Sequence, residues 1–413
     1  MGAEGVLWGQ GSSPTLTRYH GDASGNTVYT PATQAAATSY FSARSPWGWM
    51  GRVSMRPDGS VASRCKVNQT SLQTSLNWGD NCYSDTNVDN NGEQKMVYVP
   101  QFCSYADYVA EHNIVWWVGL IGDSFTLQAA DGTFTGAVHT LTSSDIHPAF
   151  LVDGVAKSGA YVGAYEAYNS GSTLQSVAGV APTVSQNKLT FRGQAEALGV
   201  GWELETIQMH AALQLLATIE TGTLSSQAST ALLGYGATQV GTTLNTGTTT
   251  SYGNASYGTT ADTVHANSYR GVENIFGNLQ HFLEGLRTDA TDVYWICPQT
   301  NVRTAGLGYS ESIALGTAGL PYVTTSITAP TTTAYTISVT PAVGWGFIPL
   351  TTGGSLSTYF CDSVTIAAGG AVFTTMGFAA SGSAFLAGLY AYYGLTGTPS
   401  STVLGARLQY FPQ

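Results

Sequence analysis

Charge is what this sequence lacks most. Charged residues fill 9% of its 413 positions, against roughly 25% in an average soluble chain. Lys and Arg number 14 and Asp and Glu 25, a net charge of −11. With no basic patch to neutralise phosphates, a nucleic-acid partner of the electrostatic kind is excluded. The Glu, Lys, Leu and Ala spacing of a coiled coil or helical bundle is also missing. Cysteine is sparse: Cys65, Cys82, Cys103, Cys297 and Cys361 are odd in number and form no CxxC. That supports neither a full disulfide framework nor a zinc cluster. Free, mostly buried thiols in a protein folded in a reducing cytoplasm are expected. The N-terminus carries Glu4 and no basic stretch leading into an apolar run, so no signal peptide is expected. No charge stands between Asp362 and Arg407. Its apolar part, 373–395, is long enough to span a bilayer. Gly377, Gly382, Gly388 and Gly394 interrupt it, so no membrane insertion is expected.

What is abundant is small and polar. The 49 glycines are nearly twice the usual share of roughly 7%, and Ser, Thr and Tyr are plentiful. Such residues favour turns, strand surfaces and adaptable binding surfaces. A hydrophobic share of 43% is ample for a core, so the chain is not disordered. Its length allows one large domain or two to three small ones. Val6–Gly9, Trp47–Met50, Arg52–Arg56 and Met96–Pro100 read as strands, with Pro57-Asp58-Gly59 a turn. Two helices are predicted, Thr190–Leu198 and Glu205–Glu220. In the second, Ile207, Ala211, Leu215 and Ile219 repeat every four residues. The Thr-rich stretch near 242–263 reads as a surface loop or insertion. Strands, then helices, then strands suit α+β or mostly β rather than alternating βαβ.

Catalytic signatures are missing. Glu203 and Glu205 are two apart, a spacing that does not share a helix face, and read as dipole compensation at a helix start. The seven histidines form neither HxxxH nor HExxH. There is no nucleophile elbow and no phosphate loop. Asp85–Gly92 evokes a calcium loop but has no closing Glu, and reads as a solvated turn. No catalytic residue, metal ligand or cofactor is assigned.

One set of blocks carries a resemblance. Tyr269–Gly285 contains Gly271-x-x-Asn274-x-x-Gly277-Asn278. This resembles the signature of the formylglycine-generating-enzyme type of C-type lectin fold. The version in phage tail proteins, and in the major-tropism-determinant-like variable proteins of diversity-generating retroelements, is especially similar. Ile146–Phe150, Tyr161–Ala167, Gly201-Trp202, Gly344–Pro349 and Leu404–Leu408 look like further blocks of that family, in family order. The similarity runs from about Met96 to the end, with a weaker part reaching Val6. Gln280 and Phe282 replace the family's two tryptophans and His281 its glutamate. The enzyme's reactive cysteine pair has no counterpart, so its oxidase activity is not implied. Gly277 suits a tight turn, Asn274 and Asn278 suit irregular backbone, and Arg407 is placed to hold a buried carboxylate or carbonyls.

The resemblance implies an irregular α+β C-type lectin fold with short antiparallel sheets and two main helices. Residues 1–95 would form a β-rich N-terminal region packed on the core or used for virion attachment. Residues 96–413 would form the lectin-like domain, with 377–404 as its ligand-binding segment. The implied function is a virion or tail receptor-binding protein, not an enzyme; the alternative is a structural virion component of the same fold. Its partners would be a host-cell surface receptor, protein or glycan, and other tail proteins, and it would act as a homotrimer. The expected contact residues are Ser381, Ser383, Phe385, Tyr392, Tyr393, Leu395, Thr396, Ser400, Ser401 and Thr402, forming one exposed patch. Leu389 and Tyr390 are expected in the core.

Overall fold

The computed structural model describes residues 2–9, 11–64, 92–110, 112–226, 232, 243–256, 258, 265–297, 323–331, 333–340, 344–355, 357–375, 388–396 and 399–412. Among these the fold is mixed and strand-rich, three α-helices set against antiparallel sheets in an α+β arrangement.

A five-stranded N-terminal sheet runs in the order Gly25–Tyr29, Thr17–Asp22, Ala3–Trp8, Asn113–Gly119, Cys103–Ala110. Every residue of Asn113–Gly119 is buried. Its Trp117 needs a flat neighbour, because a Cβ on Gly5 would stand 2.5 Å from the indole. The central sheet has the order Trp202–Leu204, Arg407–Tyr410, Gly159–Glu166, Gln94–Pro100, Gly51–Met55, Val61–Arg64. Strands from both sides of residue 95 therefore share each of these two sheets. The C-terminal sheet is built on Gln280–Thr288, Ala371–Thr375, Tyr392–Thr396 and Ser363–Ile366, and the last two pair in parallel.

Helix α1 (Gln34–Ser42) stands among the strands and turns expected in the first hundred residues, where no helix was predicted. Thr33 caps it, accepting from the Ala36 N–H. Only Ala37, Phe41 and Ser42 of it are buried, so the apolar stripe was too thin to show a period. Trp47–Trp49 is a single 3-10 turn, not a strand. Helix α2 (Lys188–Glu196) begins at its Asn187 cap and α3 (Ile207–Thr221) at its Thr206 cap, each near the expected place. Gly222 ends α3 in a left-handed conformation, φ 66°, which costs glycine little. All residues of α3 from Ile207 to Glu220 are buried. A helix covered on every side runs through the core rather than across a surface.

Burying α3 buries its polar side chains, and each must find a partner. Gln208 donates to the Cys297 carbonyl at 2.6 Å and Gln214 to that of Leu389 at 2.6 Å. Glu220 accepts two bonds from Arg270, at 2.8 and 3.0 Å, and one from the Tyr269 hydroxyl. A second forked pair joins α2 to the C-terminal sheet. Arg192 reaches both Glu284 oxygens at 2.7 and 2.6 Å, with Lys188 3.2 Å away. The described cysteines, Cys103, Cys297 and Cys361, are free and buried, and burial lifts the Cys361 thiol to about 11. No described helix is long and apolar enough to cross a membrane.

Glu284→Ala would leave Arg192 and Lys188 buried without their carboxylate. We expect a loss of roughly 3–5 kcal/mol in urea unfolding. A loss under about 1 kcal/mol would mean that the forked pair does not hold α2.

Candidate functional site

Three of the blocks, Tyr161–Ala167, Tyr269–Gly285 and Leu404–Leu408, lie far apart in sequence yet meet around one guanidinium. Arg407 is 1% exposed. It donates to the Gly163 carbonyl at 2.8 Å and to the carbonyls of Glu273 and Asn274, both at 2.8 Å. Its Nε lies 3.6 Å from Glu205. The expectation that Arg407 holds carbonyls or a carboxylate is met by both kinds of partner. The carbonyls are available because 269–279 is a chain of tight turns. Asn274 and Asn278 take φ of 48° and 57°, and Gly271 and Gly277 take 93° and 90°. Glycine adopts that region freely and asparagine more readily than most residues.

The central carboxylate is Glu166, 1% exposed. It accepts from the Asn278 side chain and, at 3.2 Å, from the Leu279 N–H. His281 places Nε2 3.0 Å from it. Burial drives the Glu166 carboxyl up to about 7 against the pull of Arg407 and these donors. Burial, with Arg407, pushes His281 well below the usual imidazole value. Both directions favour an uncharged pair. Glu205 differs. Burial raises it, but His210 at 3.2 Å and Arg407 outweigh that and hold it ionised, below its ordinary value. Glu205 thus serves this cluster rather than the helix dipole, and Glu203 lies in the Trp202–Leu204 strand, not at a helix start.

The threonine run is also drawn inward. Glu273, 1% exposed, accepts from Gly247 N–H at 2.7 Å and from the Thr249 N–H and hydroxyl at 2.6 and 2.7 Å. Thr246 and Thr249 are buried. The described part of the expected surface loop exposes Asn245, Thr248, Ser251, Tyr252 and Ala255 but turns Thr246 and Thr249 inward as a clamp on a buried carboxylate. Hydroxyls and glycine N–H groups are what such an anion requires.

The side chains of this cluster, Glu166, Glu205, Glu273, His281 and Arg407, are all buried. Among the described residues no group of His, Cys, Asp or Glu could hold a metal ion. The outward-facing residues lie just beyond it. Leu389 and Tyr390 are 2% exposed, in the core as expected. Tyr392 was expected on the surface and is instead 0% exposed. Its hydroxyl donates to Gln214 at 3.0 Å, and its ring lies edge-on to His210 at 6.0 Å. Strand alternation explains this: Tyr392 and Gly394 face α3, while half-buried Tyr393 and Leu395 face the other way. Thr396, Ser400 and Thr402 are exposed and Ser401 is half-buried. The Ser401 carbonyl accepts from Ser185 and Leu404 N–H groups, both within 3.1 Å. Ser381, Ser383 and Phe385 lie outside the described residues, as do Asp85–Asn91. No protein-family model matches the chain, and no curated protein matches it.

Glu166→Gln mimics the protonated acid. A carboxyl raised from 4.5 to about 7 on folding contributes stability that is full below about pH 4.5 and fades as pH rises through 7. The variant lacks this loss. Its melting temperature should gain on the parent between pH 5 and 7.5, and a widening deficit would contradict the assignment.

Tyr392→Ala should cost roughly 3–5 kcal/mol in denaturant unfolding, while Tyr393→Ala costs far less. Equal effects would place both rings in the same environment.

Proposed function

We propose that this chain is a virion receptor-binding protein, presenting a short polar and aromatic surface on a core of the C-type lectin kind. One observation carries the reading. The stretch from Tyr392 to Leu404 is gripped at both ends by buried contacts, while Thr396, Ser400 and Thr402 stand exposed between them. Leu404 and Gly405 run parallel to Gln280 and His281, inside the block that carries the resemblance. A binding surface gains affinity when it is held in place before the partner arrives.

The working surface is Tyr393, Leu395, Thr396, Ser400, Ser401 and Thr402. Tyrosine brings contact area at low entropic cost, and Ser and Thr adapt their hydrogen bonds. Tyr392 supports it from beneath. The chemistry suits a neutral partner, a protein or glycan on the host surface. The proposed homotrimer would multiply weak single contacts by roughly 10² to 10⁴.

The triple variant Thr396→Arg, Ser400→Arg, Thr402→Arg tests the reading. Exposed positions tolerate change within about 0.5 kcal/mol each, so its melting temperature should stay close to the parent's. Adsorption of virions carrying it should fall by at least about tenfold, the equivalent of 1.4 kcal/mol. Normal adsorption by a folded variant would favour a structural virion component instead.

A further inference from the structure

A cavity of about 490 Å³ opens at the C-terminal end of α3. Arg18 of the Thr17–Asp22 strand lines it, with Gln34 at the start of α1 and Thr221, Gly222 and Thr223 at the end of α3. The volume falls in the usual range for small-molecule sites, roughly 300–1,000 Å³.

Arg18 closes the helix end. Its Nε donates to the Ile219 carbonyl at 2.9 Å and its Nη2 to that of Glu220 at 2.7 Å. Both carbonyls belong to the last turn, where a helix has no partners of its own. The guanidinium rests on Gly222. A Cβ there would stand 2.5 Å from its central carbon and 2.7 Å from Nη1, so this glycine supplies space as well as its left-handed φ. Nη1 makes no hydrogen bond among the described residues.

Arg18 also lacks a counter-charge. Arg44, Arg56, Arg192, Arg270 and Arg407 each stand beside a carboxylate. Among the described residues Arg18 has only the two neutral carbonyls as partners, and the Glu220 carboxylate is held by Arg270. Burial lowers Arg18, the direction expected of a cation short of compensation. A guanidinium keeps its proton all the same. The lining around it is polar. Thr221 donates its hydroxyl to the Ala217 carbonyl, which leaves its lone pairs open, and Thr223 accepts from the Ser225 N–H, which leaves its proton open. The hydroxyls of Thr17 and Thr30, also on the lining, make no hydrogen bond among the described residues.

These features select the charge of a ligand. One cation with one nitrogen still open matches a single negative charge. The α3 terminus carries partial negative charge, which disfavours a dianion such as phosphate. Hydroxyls that can donate or accept suit a ligand that carries hydroxyls of its own. We infer that this cavity binds a small hydroxylated monocarboxylate, its carboxylate on Arg18 Nη1 and its hydroxyls among the lining threonines.

The test is titration of the full chain with glucuronate and lactate by calorimetry and ligand-observed NMR, with glucose and inorganic phosphate as separate arms. At least one carboxylate should bind saturably, at least about tenfold more tightly than glucose or phosphate. Arg18→Met should weaken that binding by about tenfold or more. Because Arg18 also closes α3, Gln34→Glu provides a second variant. The Gln34 amide and Arg18 donate to the same Glu220 carbonyl, so this near-isosteric change sets a carboxylate beside the guanidinium. Acid in the first turn suits a helix start, so the melting temperature should hold while carboxylate binding falls by a similar factor. Thr396→Arg should leave binding unchanged, so this result stands or falls apart from the adsorption experiment. No saturable carboxylate binding, glucose or phosphate bound as tightly, or carboxylate binding that survives in folded Gln34→Glu would overturn the inference.

Discussion

Burying charge is the constraint on which the rest of this structure depends. The chain has 14 basic residues, and at least six of them, Arg52, Lys95, Lys188, Arg192, Arg270 and Arg407, are buried. A buried charge is costly unless paired and hydrogen-bonded. Each therefore requires specific partners, and those partners come from distant sequence. Arg407 needs carbonyls from Gly163 and from the turns at Glu273 and Asn274; Arg192 needs Glu284; Arg270 needs Glu220. Apolar burial is non-directional and would tolerate other arrangements of these glycine-rich strands. The charged forks accept far fewer, so they select the topology that apolar burial stabilises.

Helix α3 carries that order outward. His210, Gln214 and Thr218 recur every four residues and so share a face. Gln214 bonds the Leu389 carbonyl and the Tyr392 hydroxyl, and Thr218 meets the Tyr390 hydroxyl. A polar stripe inside an apolar helix is thus the seat of residues 389–392. His210 joins the same stripe to Glu205 and, through it, to Arg407. The strand that leads to the exposed residues is consequently set by the same network that closes the core.

How far this was legible depended on whether a signal was local. The period of four in α3, the Pro57-Asp58-Gly59 turn and the strand ending at Pro100 are short-range patterns, and they stand in the structure. Arg407 was legible for a different reason: a lone cation near a charge-free stretch must be compensated. Tyr392 was not, because neighbouring tyrosines on a strand look alike until the side facing α3 is known. The Thr246–Thr249 clamp was hidden likewise, since polar composition suggests solvent unless the buried Glu273 is in view. Helix α1 gave almost no periodic signal because its contact with the core is two apolar side chains wide.

A division of labour between adjacent residues follows from this arrangement. From Tyr392 to Thr402, the inward positions are joined to α3 and to the buried cluster, where a lost side chain leaves a partner unsatisfied. The outward positions Thr396, Ser400 and Thr402 touch little that the fold requires. Sequence change there is cheap in stability, whereas change at Tyr392 or Leu404 is expensive. A surface can change its partner without losing its fold only when fixed and free positions stand side by side in this way.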